Sequence, residues 1–284
     1  MPSSICACPT RRASELDRAA GDTGSVAIIG YGEANIRELR GELSTAQQGF
    51  EESLKVWRQM GDQRAAAFAL NSIGQVMLAE GDFTGARKSI EEALAIRQKG
   101  QDKTKVAESE LLLAELSLEE GRNAAETEAV ARQTIDAFKN QEASEDEANG
   151  WNLLTRALFA ERKFDEAKHS SQEALSLSLK TKDLQLRMDN AILAARVLGL
   201  TSAPSSNFAA RTAASNQLVS LISQAKKNDY VGEELDARLA VAEIELKAGA
   251  TASARSHLTA LEKEARAKGF GLVAQKAAAL RSSS

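Results

Sequence analysis

The sequence predicts an all-α protein built as a solenoid of stacked antiparallel helix pairs. The first reason is a phrase that returns at a period of about 40 residues, centred on Ala46, Ala86, Ala167 and Ala254. The second is composition, since charged residues make up 27%, aromatic residues only 4%, and three prolines occur among 284 residues. A helical phrase with a fixed period in this range is typical of a repeat array rather than of one closed core.

Each repeat is predicted to contain a helix A, a tight turn, a helix B and a connector. In the clearest copy, helix A covers residues 64–80, Gly81 and Asp82 form the turn, and helix B covers 83–99. Glycine adopts the left-handed cap without steric cost, and aspartate accepts a hydrogen bond at the start of the next helix. The same pattern places the other A helices at 105–120, 145–161, 184–200 and 233–247, with a third helix B at 124–140.

Small residues occur where the two helices of a pair are expected to cross. Helix A carries Gly74, Ala114, Thr155, Ala195 and Ala242 at equivalent places, and helix B carries the four repeated alanines. Small side chains let two helix backbones approach closely, so a bulky residue there is expected to overpack the crossing.

This arrangement resembles the tetratricopeptide repeat, over roughly residues 24–282. The resemblance rests on Gly74, Gly81, Phe83, Ala86, Ile90 and Ala93, and in the fourth repeat on Trp151, Leu154, Leu158, Phe164, Ala167 and Ala174. It implies a right-handed superhelical solenoid of about six repeats plus a closing helix near the C-terminus. Two departures stand out: the third helix B carries one extra residue, and Arg162 replaces the turn glycine of the fourth repeat.

The predicted array occupies residues 23–282, and residues 1–22 are expected to be a poorly ordered segment or the remnant of an earlier repeat. Residues 14–20 resemble the end of a helix B. A loop at 201–206, which contains Pro204, is expected to be a weak joint.

The second half resembles the C-terminal repeat arms of bacterial multidomain serine/threonine kinases and transcriptional regulators. An alternative interpretation is therefore that the chain is a fragment of such a protein.

Composition and motifs argue against several other classes. The net charge of −4 and the pI near 5.5 do not suggest nucleic-acid binding, and no apolar run is long enough for a membrane span. Cys6 and Cys8 lack nearby histidines, so no metal or other cofactor is expected, and a cytoplasmic location is predicted. Gly30 and Gly32 lack the third glycine of a dinucleotide loop, and no other catalytic motif is found, so the chain is predicted not to be an enzyme.

The resemblance also implies a binding surface, because the inner faces of the A helices line a concave groove in tetratricopeptide arrays. The corresponding positions are Phe68, Asn71, Gln75, Glu108, Leu111, Glu115, Asn149, Asn152, Arg156, Asp189, Ile192, Arg196, Asp236, Leu239 and Glu243. Five of these residues are acidic and two are arginines, which favours a partner segment with basic character.

Two functions follow from this interpretation. The favoured one is a non-enzymatic protein–protein interaction scaffold that binds a partner segment in the groove. The alternative is a sensory or regulatory arm of a larger bacterial kinase or transcriptional regulator. In both, each repeat is expected to contact only its sequence neighbours, and the oligomeric state is left open.

Overall fold

A computed structural model describes residues 23–201 and 208–283, and these residues form thirteen α-helices with no β-strand among them. The helices are α1 (Thr23–Leu39), α2 (Leu43–Met60), α3 (Gln63–Glu80), α4 (Phe83–Lys99), α5 (Lys103–Glu119), α6 (Ala124–Asn140), α7 (Ser144–Ala160), α8 (Phe164–Ser178), α9 (Leu184–Thr201), α10 (Phe208–Lys227), α11 (Val231–Lys247), α12 (Thr251–Ala267) and α13 (Gly271–Ser283). Odd-numbered helices α1 to α11 are the A helices, even-numbered helices are the B helices, and α13 closes the array. The predicted helical-repeat solenoid is confirmed.

The A helices begin and end within two residues of the predicted bounds. The turns explain this precision, because a residue in the left-handed region ends one helix about every 20 residues, from Gly41 and Gly61 through Gly81 to Gly121. Asp82 then caps α4 by accepting a hydrogen bond from the Gly85 amide at 3.0 Å. Left-handed turn residues, together with aspartate caps at the start of α3, α4 and α5, therefore account for the bounds of these helices.

Both predicted departures from the repeat pattern are present. Arg162 adopts φ +62°, the left-handed conformation that glycine provides in other turns. In α6 the buried crossing position is Thr127, six residues after Gly121, whereas Ala86 follows Gly81 by five. The Thr127 hydroxyl donates to the Ala114 carbonyl oxygen at 3.3 Å, so this larger residue satisfies its polar atom across the crossing.

The predicted small residues lie at helix crossings. Ala46, Ala86, Ala167 and Ala254 are all completely buried. At the opposite side of the α3–α4 crossing, a Cβ atom on Gly74 would lie 2.5 Å from Ile90 Cγ1, closer than two carbon atoms can approach. The crossing therefore has no room for a larger residue at Gly74.

The expectation that each repeat contacts only its neighbours is wrong. Helix α13 packs against α3 as well as against α11 and α12. A Cβ atom added to Gly271 would overlap the Glu80 carbonyl oxygen, so the two backbones almost touch. Leu43 near the start of the array and Phe270 near its end belong to the same buried apolar cluster. The superhelix thus closes on itself, with one end packed against the other.

Three expectations fall on residues outside the described part of the chain. The poorly ordered segment at 1–22, with Cys6 and Cys8, is one, and the weak joint at 201–206 is covered only at Thr201. The third is the helix B remnant at 14–20. These remain predictions from the sequence.

Candidate binding groove

The A helices and α13 surround a central groove with a cavity volume of about 630 Å³. Every A helix from α1 to α11 contributes side chains to its wall, and α13 completes the circle. This volume lies within the range of roughly 300–1,000 Å³ that is typical of ligand pockets. Closure of the superhelix therefore adds α13 to the wall of the groove that the A helices form.

The structure brings together nearly all of the residues predicted for the groove. The residues that line the cavity are Phe68, Asn71, Gln75, Glu108, Leu111, Glu115, Asn149, Asn152, Arg156, Asp189, Ile192, Arg196, Asp236 and Leu239. Glu243 does not line the cavity but binds Arg196, which does. Equivalent positions of successive A helices lie side by side because these helices stack in parallel and are one repeat apart in the chain.

The floor of the groove is apolar and well packed. Leu111, Ile192 and Leu239 occupy the same position of three A helices, and each is buried. Phe68 also lines the groove, with the Arg97 guanidinium 5.4 Å and the Lys105 ammonium 5.3 Å from the ring centre. These distances allow cation–π attraction, so Phe68 is held by its own neighbours.

The groove asparagines also bind neighbouring helices. Asn71 is only 6% exposed and accepts a hydrogen bond from the Ser109 hydroxyl at 3.3 Å. Asn152 donates to the Asn190 amide oxygen at 2.9 Å. A carboxamide has further donor and acceptor capacity, so the half-buried Asn152 keeps hydrogen-bonding capacity for a ligand, whereas the buried Asn71 mainly joins α3 to α5.

A belt of ion pairs links the helices along the groove wall, formed by Glu115, Glu119, Arg156, Arg196, Glu243 and Lys276. Arg156 binds Glu115 at 2.6 Å and also pairs with Glu119. Arg196 binds Glu243 through two nitrogens, at 2.5 and 2.8 Å. This ion-pair belt is internally neutralised, so Arg156 and Arg196 hold adjacent A helices together.

Burial opposes the charged form of Glu119, but Arg156 and Lys276 outweigh this effect and lower the pKa of Glu119. In the same way, burial opposes the charge on Arg156, yet Glu115 and Glu119 raise its pKa. The opposite shifts of the two partners indicate that both stay charged, as expected of a closely paired arginine and carboxylate. Arg156 and Glu119 therefore form a stable charged pair at the centre of the ion-pair belt.

A second set of carboxylates is not neutralised in this way. We call Glu38, Asp146, Asp189, Glu233 and Asp236 the acidic rim, since all five line the cavity and none forms an ion pair within the described part of the chain. Burial and neighbouring carboxylates raise their pKa values, to about 7 for Glu38 and to about 6 for Asp146.

Within the acidic rim the carboxylates act on one another. Burial raises the pKa of Asp189, and the charge of Glu233 raises it further. Glu233 is itself 5% exposed, and burial raises its pKa. Lys276, Arg156 and Arg196 offset only part of the rise in the pKa of Asp236. Groups whose charged form is disfavoured by desolvation and by like charges gain when a further cation enters, so the acidic rim favours a cationic ligand.

Sequence reasoning missed several residues of the groove, namely Tyr31, Glu38, Arg97, Glu119, Asp146, Glu233 and Lys276. Three of them could have been predicted from the spacing of the groove residues. Glu119 follows Glu115 by four residues, Asp146 precedes Asn149 by three, and Glu233 precedes Asp236 by three. Such steps stay on one helix face. Lys276 had no such signal, since it reaches the groove only through closure of the superhelix.

Among the residues that the structure describes, no helix is long and apolar enough to span a membrane. The same residues contain no cluster of three or more histidine, cysteine, aspartate or glutamate side chains arranged to hold a metal ion.

Residues 26–99 match the family model of the tetratricopeptide repeat, and this range coincides with α1 to α4. A comparison with curated protein sequences found no significant match. The structure is similar to a Rap protein complexed with Competence and Sporulation Factor, with a TM-score of 0.64, 10% identity, and coverage of 96% of this chain and 83% of that one.

It is also similar to the apo form of RapI, with a TM-score of 0.66, 13% identity, and coverage of 91% of this chain and 89% of that one. Yeast Tom70 aligns with a TM-score of 0.51 and 14% identity, over 95% of this chain and 57% of Tom70. These similarities establish the fold that the repeats predict, a tetratricopeptide-like helical solenoid.

Proposed function

We propose that the chain is a non-enzymatic interaction module that binds a basic segment of a protein partner in its central groove. The acidic rim is the observation that carries this proposal. Five carboxylates face one cavity, and no lysine, arginine or histidine among the described residues lies within ion-pair distance of them. A ligand ammonium or guanidinium group supplies the missing countercharge, which gives the groove both affinity and selectivity for basic segments.

The remaining parts of the groove suit the same ligand. Leu111, Ile192 and Leu239 offer a firm apolar floor for the aliphatic part of a lysine or arginine side chain. The ion-pair belt holds the A helices in place before binding, so little ordering is lost when the segment enters. A Rap protein of similar fold forms a complex with Competence and Sporulation Factor. This complex supports the view that the architecture can hold a bound factor.

The test is a binding titration with an acetylated, amidated pentalysine peptide that carries a fluorophore. Asp189→Asn with Asp236→Asn removes two rim charges and breaks no ion pair, so this double variant should fold normally. We expect it to weaken peptide binding by about tenfold or more, which corresponds to about 1.4 kcal/mol.

The matched control is Glu91→Gln with Asp136→Asn. It removes the same charge from exposed positions on α4 and α6 that do not line the cavity. We expect the control to bind like the wild type. Equal loss of affinity in both double variants, or no binding by the wild type at low ionic strength, would contradict the proposal.

The alternative function, a regulatory arm of a larger kinase or transcriptional regulator, uses the same groove. It differs in its output, since ligand binding would then control a domain encoded in the same reading frame. A kinase or DNA-binding segment in the flanking coding sequence would favour it, and its absence from the complete reading frame would leave the free-standing module.

A further inference from the structure

Lys276 of the closing helix reaches into the groove from the far end of the chain. Its ammonium group lies 2.7 Å from one Glu119 oxygen and 2.8 Å from the other. The two residues are 157 positions apart, so this ion pair forms only where α13 meets the earlier repeats. It joins α13 to α5 across the seam at which α13 packs against α3.

Glu119 is shared between this seam and the ion-pair belt. Its side chain is 9% exposed and also pairs with Arg156, whereas the Lys276 side chain is 36% exposed and lines the cavity. Arg156 also lines the cavity, but it is 21% exposed and is held by Glu115 as well as by Glu119, so Lys276 is the more exposed and less firmly held partner of Glu119. Of the two ion pairs, the one to Lys276 is the easier to exchange.

Lys276 also acts on the acidic rim. Burial raises the pKa of Asp236, and the nearby charge of Lys276 partly offsets this rise. A ligand cation bound at Asp236 therefore approaches Lys276 and is repelled by it. Lys276 is thus placed between the seam and the surface that a basic segment would occupy.

From this geometry, and resting on the proposed function, we propose that Lys276 is an internal competitor that ties groove occupancy to the closure of the superhelix. A cationic group that enters the groove weakens the Lys276–Glu119 contact, and α13 loosens from its seam with α3. Because coupling between two sites is reciprocal, loss of the Lys276 contact must also favour ligand binding.

Lys276→Met tests the coupling, because methionine keeps the length and apolar character of the side chain and removes the charge. Lys263→Met on α12 is the control, since Lys263 is exposed, does not line the cavity, and its substitution changes the net charge equally. Lys276→Arg is a second control that keeps the charge at the seam.

The probe is the pentalysine peptide, titrated at low ionic strength. We expect Lys276→Met to bind it about fivefold more tightly than the wild type, a change typical of a partly exposed charge. Lys263→Met and Lys276→Arg should both bind like the wild type.

Hydrogen exchange gives the second readout. Peptide binding should speed exchange of the α13 amides in the wild type, and in Lys276→Met these amides should exchange faster without peptide and respond less to it. Equal affinity of Lys276→Met and Lys263→Met, or α13 exchange that peptide leaves unchanged in the wild type, would overturn the coupling and leave the proposed function standing. Failure of both the wild type and Lys276→Met to bind the peptide would overturn both proposals.

Discussion

Gly74 and Gly32 offer a matched test of how closely the helices of a pair approach. Both are glycines inside helices, Gly74 in α3 and Gly32 in α1. A Cβ atom at Gly74 would lie 2.5 Å from Ile90 Cγ1 and 3.3 Å from the Ala86 carbonyl oxygen. A Cβ atom at Gly32 meets nothing within 4 Å.

Two effects oppose each other when alanine replaces these glycines. Alanine favours a helix interior by about 0.8–1.0 kcal/mol over glycine. At Gly74 the new methyl group overpacks the crossing, at a typical cost of about 1–3 kcal/mol. Ile90 is completely buried and its Cγ1 atom is close to its own backbone, so it cannot swing away. We expect Gly32→Ala to stabilise the protein and Gly74→Ala to be less stable than Gly32→Ala by about 1–3 kcal/mol.

Urea unfolding followed by circular dichroism measures both variants. Because the helix-propensity gain is common to them, their difference isolates the packing cost. Adding Ile90→Ala to the wild type and to Gly74→Ala provides a double-mutant cycle, and Ile90→Ala should cost less in the Gly74→Ala background, where it relieves the overpacking. If Gly74→Ala stabilises the protein as much as Gly32→Ala does, the close crossing of α3 and α4 is wrong.

The remaining predictions concern one pH effect and three crossings. The pKa of Glu38 is raised to about 7 from 4.5, so its contribution to stability is complete below pH 4.5 and is lost as the pH rises through 7. As the pH rises through this window, the free energy of unfolding of Glu38→Gln should therefore increase relative to that of the wild type. The increase should stay below about 3 kcal/mol, because solvent in the groove screens the Glu38 charge. A difference between the two proteins that stays constant in urea titrations at several pH values would contradict this. Ala86→Leu and Ala167→Leu should each lower the free energy of unfolding by about 1–3 kcal/mol. Ala46→Leu should cost as much, since Ala46 is equally buried and the first repeat packs against the end of the array; a near-wild-type melting temperature for Ala46→Leu would show that this end remains open.

The ion-pair belt changes what a groove substitution can test. On sequence grounds alone, Arg156→Glu with Asn152→Ala is a natural choice for removing ligand contacts without affecting stability. Arg156, however, pairs with Glu115 and Glu119 across two A helices, and reversing its charge would leave three carboxylates together. Breaking a buried pair by removing one partner is strongly destabilising, so the acidic rim gives the cleaner variants.

The predictable parts of this structure are those with local causes. The Gly81-Asp82 turn, the left-handed cap and the spacing of apolar residues set the helix bounds, and each acts within a few residues. The 40-residue period then aligns equivalent positions of successive A helices, which is why Phe68, Glu108 and Asp189 could be assigned to one groove. Arg162 was identified as a turn residue by the same alignment and adopts the expected left-handed backbone.

What only the tertiary structure decided is how the repeats close and which charges pair. The rotation between repeats is the sum of many small packing differences, such as Thr127 in place of an alanine, and no single repeat encodes it. The total rotation over all repeats brings Lys276 to Glu119 and Gly271 against Glu80. The sequence alone determined the helices, their period and the face that lines the groove, because these follow from periodicity and caps. Packing of neighbouring A helices, together with closure at Lys276, separated the ion-pair belt from the acidic rim, because the partner of a charge depends on distances between residues far apart in the chain.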